Sequence, residues 1–584
     1  MVELSFLSLA LLVLLLGVIV PLGSMLATSL VDDASWRPIL VPAFGVLGMS
    51  ALLSTMLAMG TSPEQAAWLL RLVVALLLVA WLRRGGLGVS LSKGGPFVVW
   101  ATAYYSLLVG AAAFPEGTFA DLAGGTVRRM TGLPIDNLIS YNFARYLTEG
   151  ISPDALEVVP TWSATSRGPL AGTFTAVMWL ILGIRETEHW LGTTPAPYFV
   201  YHCSLVFLNL LSAYAVWNFA EQIFGRRVAL LSLFALSLNS FFFINLFFEW
   251  PKLFMTYLLF AGAAALSARG MGWKSALAAG ICFGGSLLAH DMALLYLLPA
   301  VGVLGILLLR SYRDEIRSTA SGRFVAHELR RCYLQPAAAF VLGFLALVLP
   351  WFVFKKAFAG PSDARLVYLH LFCLTADQIE NLRFVDVVRQ YLAANDAIAM
   401  LFTRLGNLWF PFDPWHSGVT VAELFRSPYQ ALAKIAHVSF FQLLHALSVP
   451  LCLLLALGVR NAPREQARTT LRRFLLVCVG ALGIAAVSFA CPQSTLNHVW
   501  AYPALLVGVL GAAYAVDRLG SWAGLVFACG VALNGVVFLY AFWLSEQVPV
   551  LLSAGSSYLN ALALYGAIAL GSILGGLCLP ERAE

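Results

Sequence analysis

The chain has 584 residues, 60% hydrophobic and 11% charged, with 36 Lys+Arg against 30 Asp+Glu for a formal net charge of +6. An ordinary soluble domain carries about 25% charged residues, and a mean hydropathy of +0.82 leaves a water-soluble globule no way to bury its apolar surface. These values exclude a soluble enzyme, a secreted disulfide scaffold, a disordered chain and a nucleic-acid reader, and they describe a polytopic membrane protein.

A helix needs roughly 20 apolar residues to cross about 30 Å of hydrocarbon. Runs of that kind occur near 4–28, 38–59, 66–82, 97–114, 196–221, 227–246, 252–268, 275–289, 292–310, 334–354, 437–459, 473–490, 498–515, 522–544 and 557–578. They predict an all-α bundle of about 15 transmembrane helices. The first run lacks a basic start and is too long for a cleaved signal, so it reads as a span. Most of the nine cysteines lie inside apolar runs, where Cys behaves as a small hydrophobe. Only Cys373 and Cys491 fall in segments placed outside, which allows one disulfide.

Basic residues cluster in alternate short loops: Arg83, Arg84 and Lys93; Arg226 and Arg227; Arg269 and Lys274; Arg310 to Arg331; and Arg460 to Arg473. The intervening loops near 247–252, 290–291, 491–498 and 545–556 carry only Lys252. The positive-inside rule places the basic loops in the cytoplasm. Both long polar interruptions, 115–195 and 355–436, then face outside, as does the N-terminus. Residues 168–184 are apolar, but counting them as a span would reverse Arg226 and Arg227. They are expected to lie along the outer interface or dip in and return, with Trp162, Trp179 and Trp190 at headgroup level.

In the first interruption, Asp136 precedes Leu138, Ile139, Phe143 and Leu147 at helical spacing, which predicts a short interfacial helix. Asp136 can cap that helix or serve as a catalytic carboxylate, and the two roles do not exclude each other. The second interruption contains LRFVDVVRQYLAAND, amphipathic at helical spacing, and the proline-broken LWFPFDPWHSG. A loop that long, with helices of its own, reads as a lid or acceptor-binding element. Asp413 and His416 alone do not make a metal site, and no metal is expected. There is no Gly-rich phosphate loop, which argues against a nucleotide-sugar donor and against ATP-driven transport.

Asp136, then Tyr141, Ala144, Leu147 and Gly150, then Arg167-Gly-Pro-Leu170 and the run ending Leu182-Gly183 resemble the first external loop of the GT-C-fold membrane glycosyltransferases, which include the protein O-mannosyltransferases and the lipid A aminoarabinose transferase. Phe224-Gly225-Arg226-Arg227-Val228 resembles the family's cytoplasmic turn. The likeness runs on more faintly through Glu249-Trp250-Pro251-Lys252, His290-Asp291 and Asn497-His498-Val499-Trp500. It departs in two ways. Three spans precede the helix matching the family's first, and Asp136-Asn137 stands where many members have paired acids.

The resemblance implies a GT-C-like bundle and transfer of a sugar from a polyprenyl-phosphate donor to a lipid, glycan or protein acceptor on the external face of a cytoplasmic membrane. No cofactor and no nucleic acid are implied. On this reading Asp136 is the general base, Arg167 and Lys252 hold the donor phosphate, and Arg145, Glu249, His290, Asp291 and His498 are candidate substrate contacts. Plainer roles stand beside these: Arg167 as a headgroup anchor, Lys252 paired with Glu249, and the histidines as structural hydrogen-bonding residues. The expected divisions are three N-terminal helices over 1–96, a catalytic core over 97–360, an external lid or acceptor-binding insertion over 361–436 and C-terminal helices over 437–584. The rival reading is a transporter or flippase for a lipid-linked or amphipathic solute. Transporters usually show internal repeats and charged or broken helices at mid-bilayer, whereas polar residues here gather in the external loops.

Overall fold

The computed structural model describes residues 2–85, 95–112, 135–152, 167–185, 194–267, 272–318, 333–358, 383–413, 418–428, 446–460, 465–490, 500–539 and 556–578, with isolated residues between them. Three helices come first: α1 (Val2–Leu30), α2 (Arg37–Ala58) and α3 (Pro63–Arg83). Ser62 caps α3 by accepting from the Gln65 amide while the Gln65 side chain accepts from the Ser62 amide, which fixes where this span begins. There follow α4 (Gly95–Ala112), the 3-10 turn Ile135–Leu138, α5 (Ile139–Glu149), α6 (Leu170–Leu182) and the two-stranded β1 (His189–Trp190) with β2 (Thr194–Pro195). Next come α7 (Ala196–Ile223), α8 (Arg226–Ser237), α9 (Ser240–Phe247), α10 (Lys252–Ser267), α11 (Trp273–Ala289), α12 (Leu294–Ser318) and α13 (Gln335–Phe358). The second insertion holds α14 (Phe384–Ala394), α15 (Ala397–Trp409) and α16 (Val421–Arg426), and the chain continues through α17 (Val449–Arg460), α18 (Glu465–Ser488), α19 (Ala501–Leu519), α20 (Ser521–Leu539) and α21 (Ser556–Cys578).

Among the described residues eight helices are long and apolar enough to cross a membrane, and α8 with α9 would make a ninth, bent by 74°. The other six expected spans coincide with helices whose described apolar stretches are shorter, so helix occupies the positions of all fifteen. α7 is the most enclosed of these eight helices, 94% buried along its apolar stretch, whereas α13 is 11% buried. That contrast is the membrane pattern: a span sheathed by other helices beside one whose side faces lipid.

Two side chains explain how the chain breaks between α8 and α10 without stranding backbone groups. Asn239 accepts from the Phe242 amide and donates to the Ala446 carbonyl. Asn209, within α7, donates to the carbonyls of Asn245 (3.2 Å) and Trp250 (2.8 Å) and accepts from the Phe254 amide (3.1 Å). Non-helical backbone at membrane depth persists only where protein satisfies it.

α11 and α13 pack with backbones almost in contact. A Cβ on Gly280 would stand 2.1 Å from the Phe340 carbonyl oxygen, and one on Gly343 2.5 Å from that of Leu277. Small residues at such crossings let membrane helices approach through van der Waals packing. The two run in the same direction, so the end of α11 at His290 meets the end of α13 at Lys355.

α6 corrects the expectation for Trp179. Eleven of its residues, Leu170 to Leu180, are buried, enclosed by α2, α3, α5 and α7. Trp179 is buried too and donates to the Pro197 carbonyl at 3.0 Å, so it is not an interfacial anchor. Two of the three N-terminal helices, α2 and α3, form part of the wall around this segment. Trp162 lies outside the described residues.

Candidate functional site

The starts of α7, α10 and α19 and the ends of α9, α11 and α13 converge at one end of the bundle. It is the end opposite the basic turns at Arg226–Arg227 and Lys274. Glu249, in the non-helical link before α10, is 1% exposed. Its Oε2 accepts from Asn137 Nδ2 at 2.8 Å, and its Oε1 accepts from Tyr198 OH at 3.1 Å and lies 2.7 Å from His202 Nδ1. Burial opposes the charge on Glu249, but the hydrogen bond and charge interaction with His202, together with the Asn137 amide, outweigh it and hold the carboxyl below its ordinary range. Tyr201 OH donates to the Asn137 carbonyl. Tyr201 on α7 and Glu249 in the link before α10 therefore clamp the 3-10 turn that carries Asp136 and Asn137.

The backbone of Asp136 lies in that turn, directly ahead of α5. The side chain of Asp136 lies outside the described residues. α5 buries Ile139, Ser140, Phe143 and Ala144 and ends at Gly150, whose φ of 69° supplies the left-handed cap. Arg145 pairs with Glu149 at 3.4 Å across one turn of that helix, which is a modest surface interaction. The Asn137 Oδ1 atom is buried with no hydrogen-bond partner among the described residues.

Lys252 is buried at the start of α10, with its ammonium 3.4 Å from the centre of the Trp250 ring and 5.5 Å from that of Tyr502. Tyr502 in turn donates to Asn245 Oδ1 at 2.7 Å. A cation over an aromatic face is held in place by the ring quadrupole.

Gly168 brings Arg167 to the corner of α11: a Cβ there would stand 2.1 Å from the Leu288 carbonyl oxygen. His290, at that corner, has Nδ1 3.0 Å from Asp291 Oδ1 and 3.2 Å from the Met292 amide. The ring donates to Asp291 when Nδ1 bears a proton and accepts from Met292 when it does not. Burial lowers the His290 pKa. Arg167 and Lys252 act the same way, against the opposing pull of Asp291. Desolvation raises the Asp291 pKa, but His290, Arg167 and Lys355 outweigh it and keep the carboxyl ionised well below its ordinary range. Three cations, Arg167, Lys252 and Lys355, thus lie within electrostatic reach of one His-Asp corner.

Of the residues expected from sequence, Glu249, Lys252, Arg167, His290 and Asp291 come together at this end. His498 lies outside the described residues, as does His416. Asp413 follows the 3-10 turn Phe410–Phe412. Glu249 is engaged by Asn137, Tyr198 and His202, which makes it an internal anchor. Sequence reading did not single out His202, Tyr198, Tyr201 or Asn209. The available signal was their density inside an apolar run, where ionisable and polar groups are costly unless paired. Among the described residues no group of three or more His, Cys, Asp or Glu is arranged to hold a metal ion.

Apolar helices around a polar cluster at one end define the class: a multi-pass helical membrane protein. No family model matches the chain and no curated protein matches it. Two solved structures are similar in overall course. The crystal structure of ArnT from Cupriavidus metallidurans bound to undecaprenyl phosphate shares 16% identity over 83% of this chain and 76% of that one, with a TM-score of 0.43. The apo state of the same protein shares 15% identity over 76% of this chain and 71% of that one, with a TM-score of 0.40. Likeness of this degree assigns no chemistry to the present chain.

Proposed function

We propose that this protein is a GT-C-type glycosyltransferase that moves a sugar from a polyprenyl-phosphate donor to an acceptor at the external membrane surface. The observation that carries the reading is the convergence, at the end opposite the basic turns, of a clamped carboxylate turn with three cations. Asp136 takes the acceptor's proton. A positioned base of this kind contributes about 10²–10⁴-fold. The departing lipid phosphate gains negative charge, which Arg167 and Lys252 stabilise. Asn137, Glu249 and His202 hold the Asp136 turn in register, since small errors of geometry are costly in catalysis.

Purified protein in lipid is offered a panel of polyprenyl-phosphate sugars, and wild type is compared with Asp136→Asn. Asn keeps the shape and capping ability of Asp but cannot act as a base. Transfer by wild type that falls by about 10²-fold or more in the variant, with donor binding retained, supports the assignment. Equal transfer by both removes Asp136 as the base and moves the search to Asp291.

The bent α8–α9 pair favours the second reading, a transporter or flippase for a lipid-linked solute, because broken helices often line transport sites. Movement of a polyprenyl-phosphate sugar between leaflets of protein-containing vesicles, without transfer, would select it.

A further inference from the structure

α15 is amphipathic with its polarity turned inside out. Ile398, Leu401, Phe402, Leu405, Leu408 and Trp409 recur at i, i+3, i+4, i+7, i+10 and i+11, a continuous stripe down one side of a helix. All six are 42 to 68% exposed. The opposite side, which meets protein, is the polar one. Asn407 is buried and donates to the Phe489 carbonyl at 2.9 Å, and Arg404 Nη1 lies 2.7 Å from Tyr391 OH with the guanidinium beside that ring. A helix surrounded by water would turn the other way, because exposing a continuous apolar stripe to water is unfavourable.

The position of the helix says what covers the stripe. Asn407 ties α15 to Phe489, immediately beyond the last residue of α18. α18 begins with Arg468, Arg472 and Arg473 and presents Leu476, Val479 and Val487 outward as an apolar, lipid-facing side. The α15 stripe therefore lies next to a helix that itself exposes apolar side chains, at the end away from that helix's arginines. Its 13 residues extend about 20 Å, too short to cross about 30 Å of hydrocarbon. We infer that α15 lies in the plane of the leaflet opposite the basic loops, with its stripe among the upper acyl chains and its polar side gripping the bundle. The partner is membrane lipid, and the mode is that of an interfacial amphipathic helix, which sinks about 5–10 Å. This assignment rests on the membrane class of the chain and does not depend on its being a transferase.

The test uses the full-length chain in vesicles of phosphatidylethanolamine and phosphatidylglycerol. Encoded nitroxide amino acids are placed singly at Phe402 and Leu405 in the stripe, at Val479 in the span and at Arg389 on α14, all exposed positions, so packing is left intact. Collision with oxygen, which concentrates in lipid, is compared with collision with a water-soluble nickel chelate. The expected result is a several-fold preference for oxygen at Phe402 and Leu405, matching Val479, and a preference for the chelate at Arg389. Preference for the chelate at both stripe positions overturns the inference by placing the stripe in water. Protection from both reagents overturns it by showing that a protein surface, from a second copy or another chain, covers the stripe.

Discussion

Glu249 shows how much one side chain can organise in a membrane protein. A carboxylate buried with three partners is stabilised where it sits, and removing its charge leaves the Asn137, Tyr198 and His202 groups short of an acceptor. Glu249→Gln is expected to cost about 1–3 kcal/mol, read as a lower thermal midpoint at neutral pH. The pH dependence has a definite sign. The folded pKa lies below the free value of about 4.3, so the stabilisation is complete above that value and fades as pH falls through the folded one. Thermal midpoints taken from pH 5 down to pH 3 should therefore fall more steeply for wild type than for the variant. An unchanged midpoint at neutral pH would show that Glu249 anchors nothing. Glu249 itself is legible in the sequence as an acid at a helix mouth. His202 is not, because its partner is 47 positions away and its surroundings read as a plain apolar span.

At the scale of elements, α6 depends on a residue from another part of the chain. Arg71, in α3, donates from Nε to the Ile181 carbonyl at 2.9 Å and from Nη2 to the Leu180 carbonyl at 3.1 Å. Those carbonyls lie in the last turn of α6, where helical acceptors lack partners of their own and a cation is favoured by the dipole. Gly183 ends the helix at a φ of 75°, and a Cβ there would meet the guanidinium at 2.9 Å. Arg71→Gln should lower stability by about 1–3 kcal/mol and quicken amide exchange at residues 181–184. Arg71→Lys should recover only part, since one ammonium does not reproduce the guanidinium fork. Unaltered exchange in Arg71→Gln would show that α6 holds its own end. Periodicity predicts α5, which forms, and α14 within LRFVDVVRQYLAAND, which also forms. It does not reveal that α6 is walled in, because enclosure by α2 and α3 is a long-range fact that local spacing does not carry.

For the whole molecule, the charge alternation predicts sidedness, and fusion reporters test it. A fluorescent-protein fusion after Arg84 should be bright, as expected in the cytoplasm. A phosphatase that needs an oxidising compartment should be active when fused after Leu374. Cys373 is disulfide-bonded, in keeping with an oxidising environment for the second insertion; Cys491, its expected partner, lies outside the described residues. The reverse pattern of reporter activity would invert the orientation and move the cation cluster to the cytoplasmic face. Composition alone establishes the class here, since no soluble fold hides this much apolar surface. The positions of the spans are equally legible, because each needs a long uninterrupted run. Whether a run makes a full crossing is not, since local composition does not say how a helix is broken, as between α8 and α9 with their 74° bend.

The Arg71 clasp joins residues 110 positions apart, and that separation has a direction in time. Chains emerge from the ribosome N-terminus first, so the guanidinium is already in the membrane when α6 is synthesised. The last turn of α6 finds its donor waiting and need not pass through a state with bare carbonyls in lipid. On that order of synthesis α3, through Arg71, is expected to receive the end of α6 as it forms. A split protein expressed as residues 1–94 and 95–584 would lose that order while keeping every contact, leaving α6 to find Arg71 by diffusion in the bilayer.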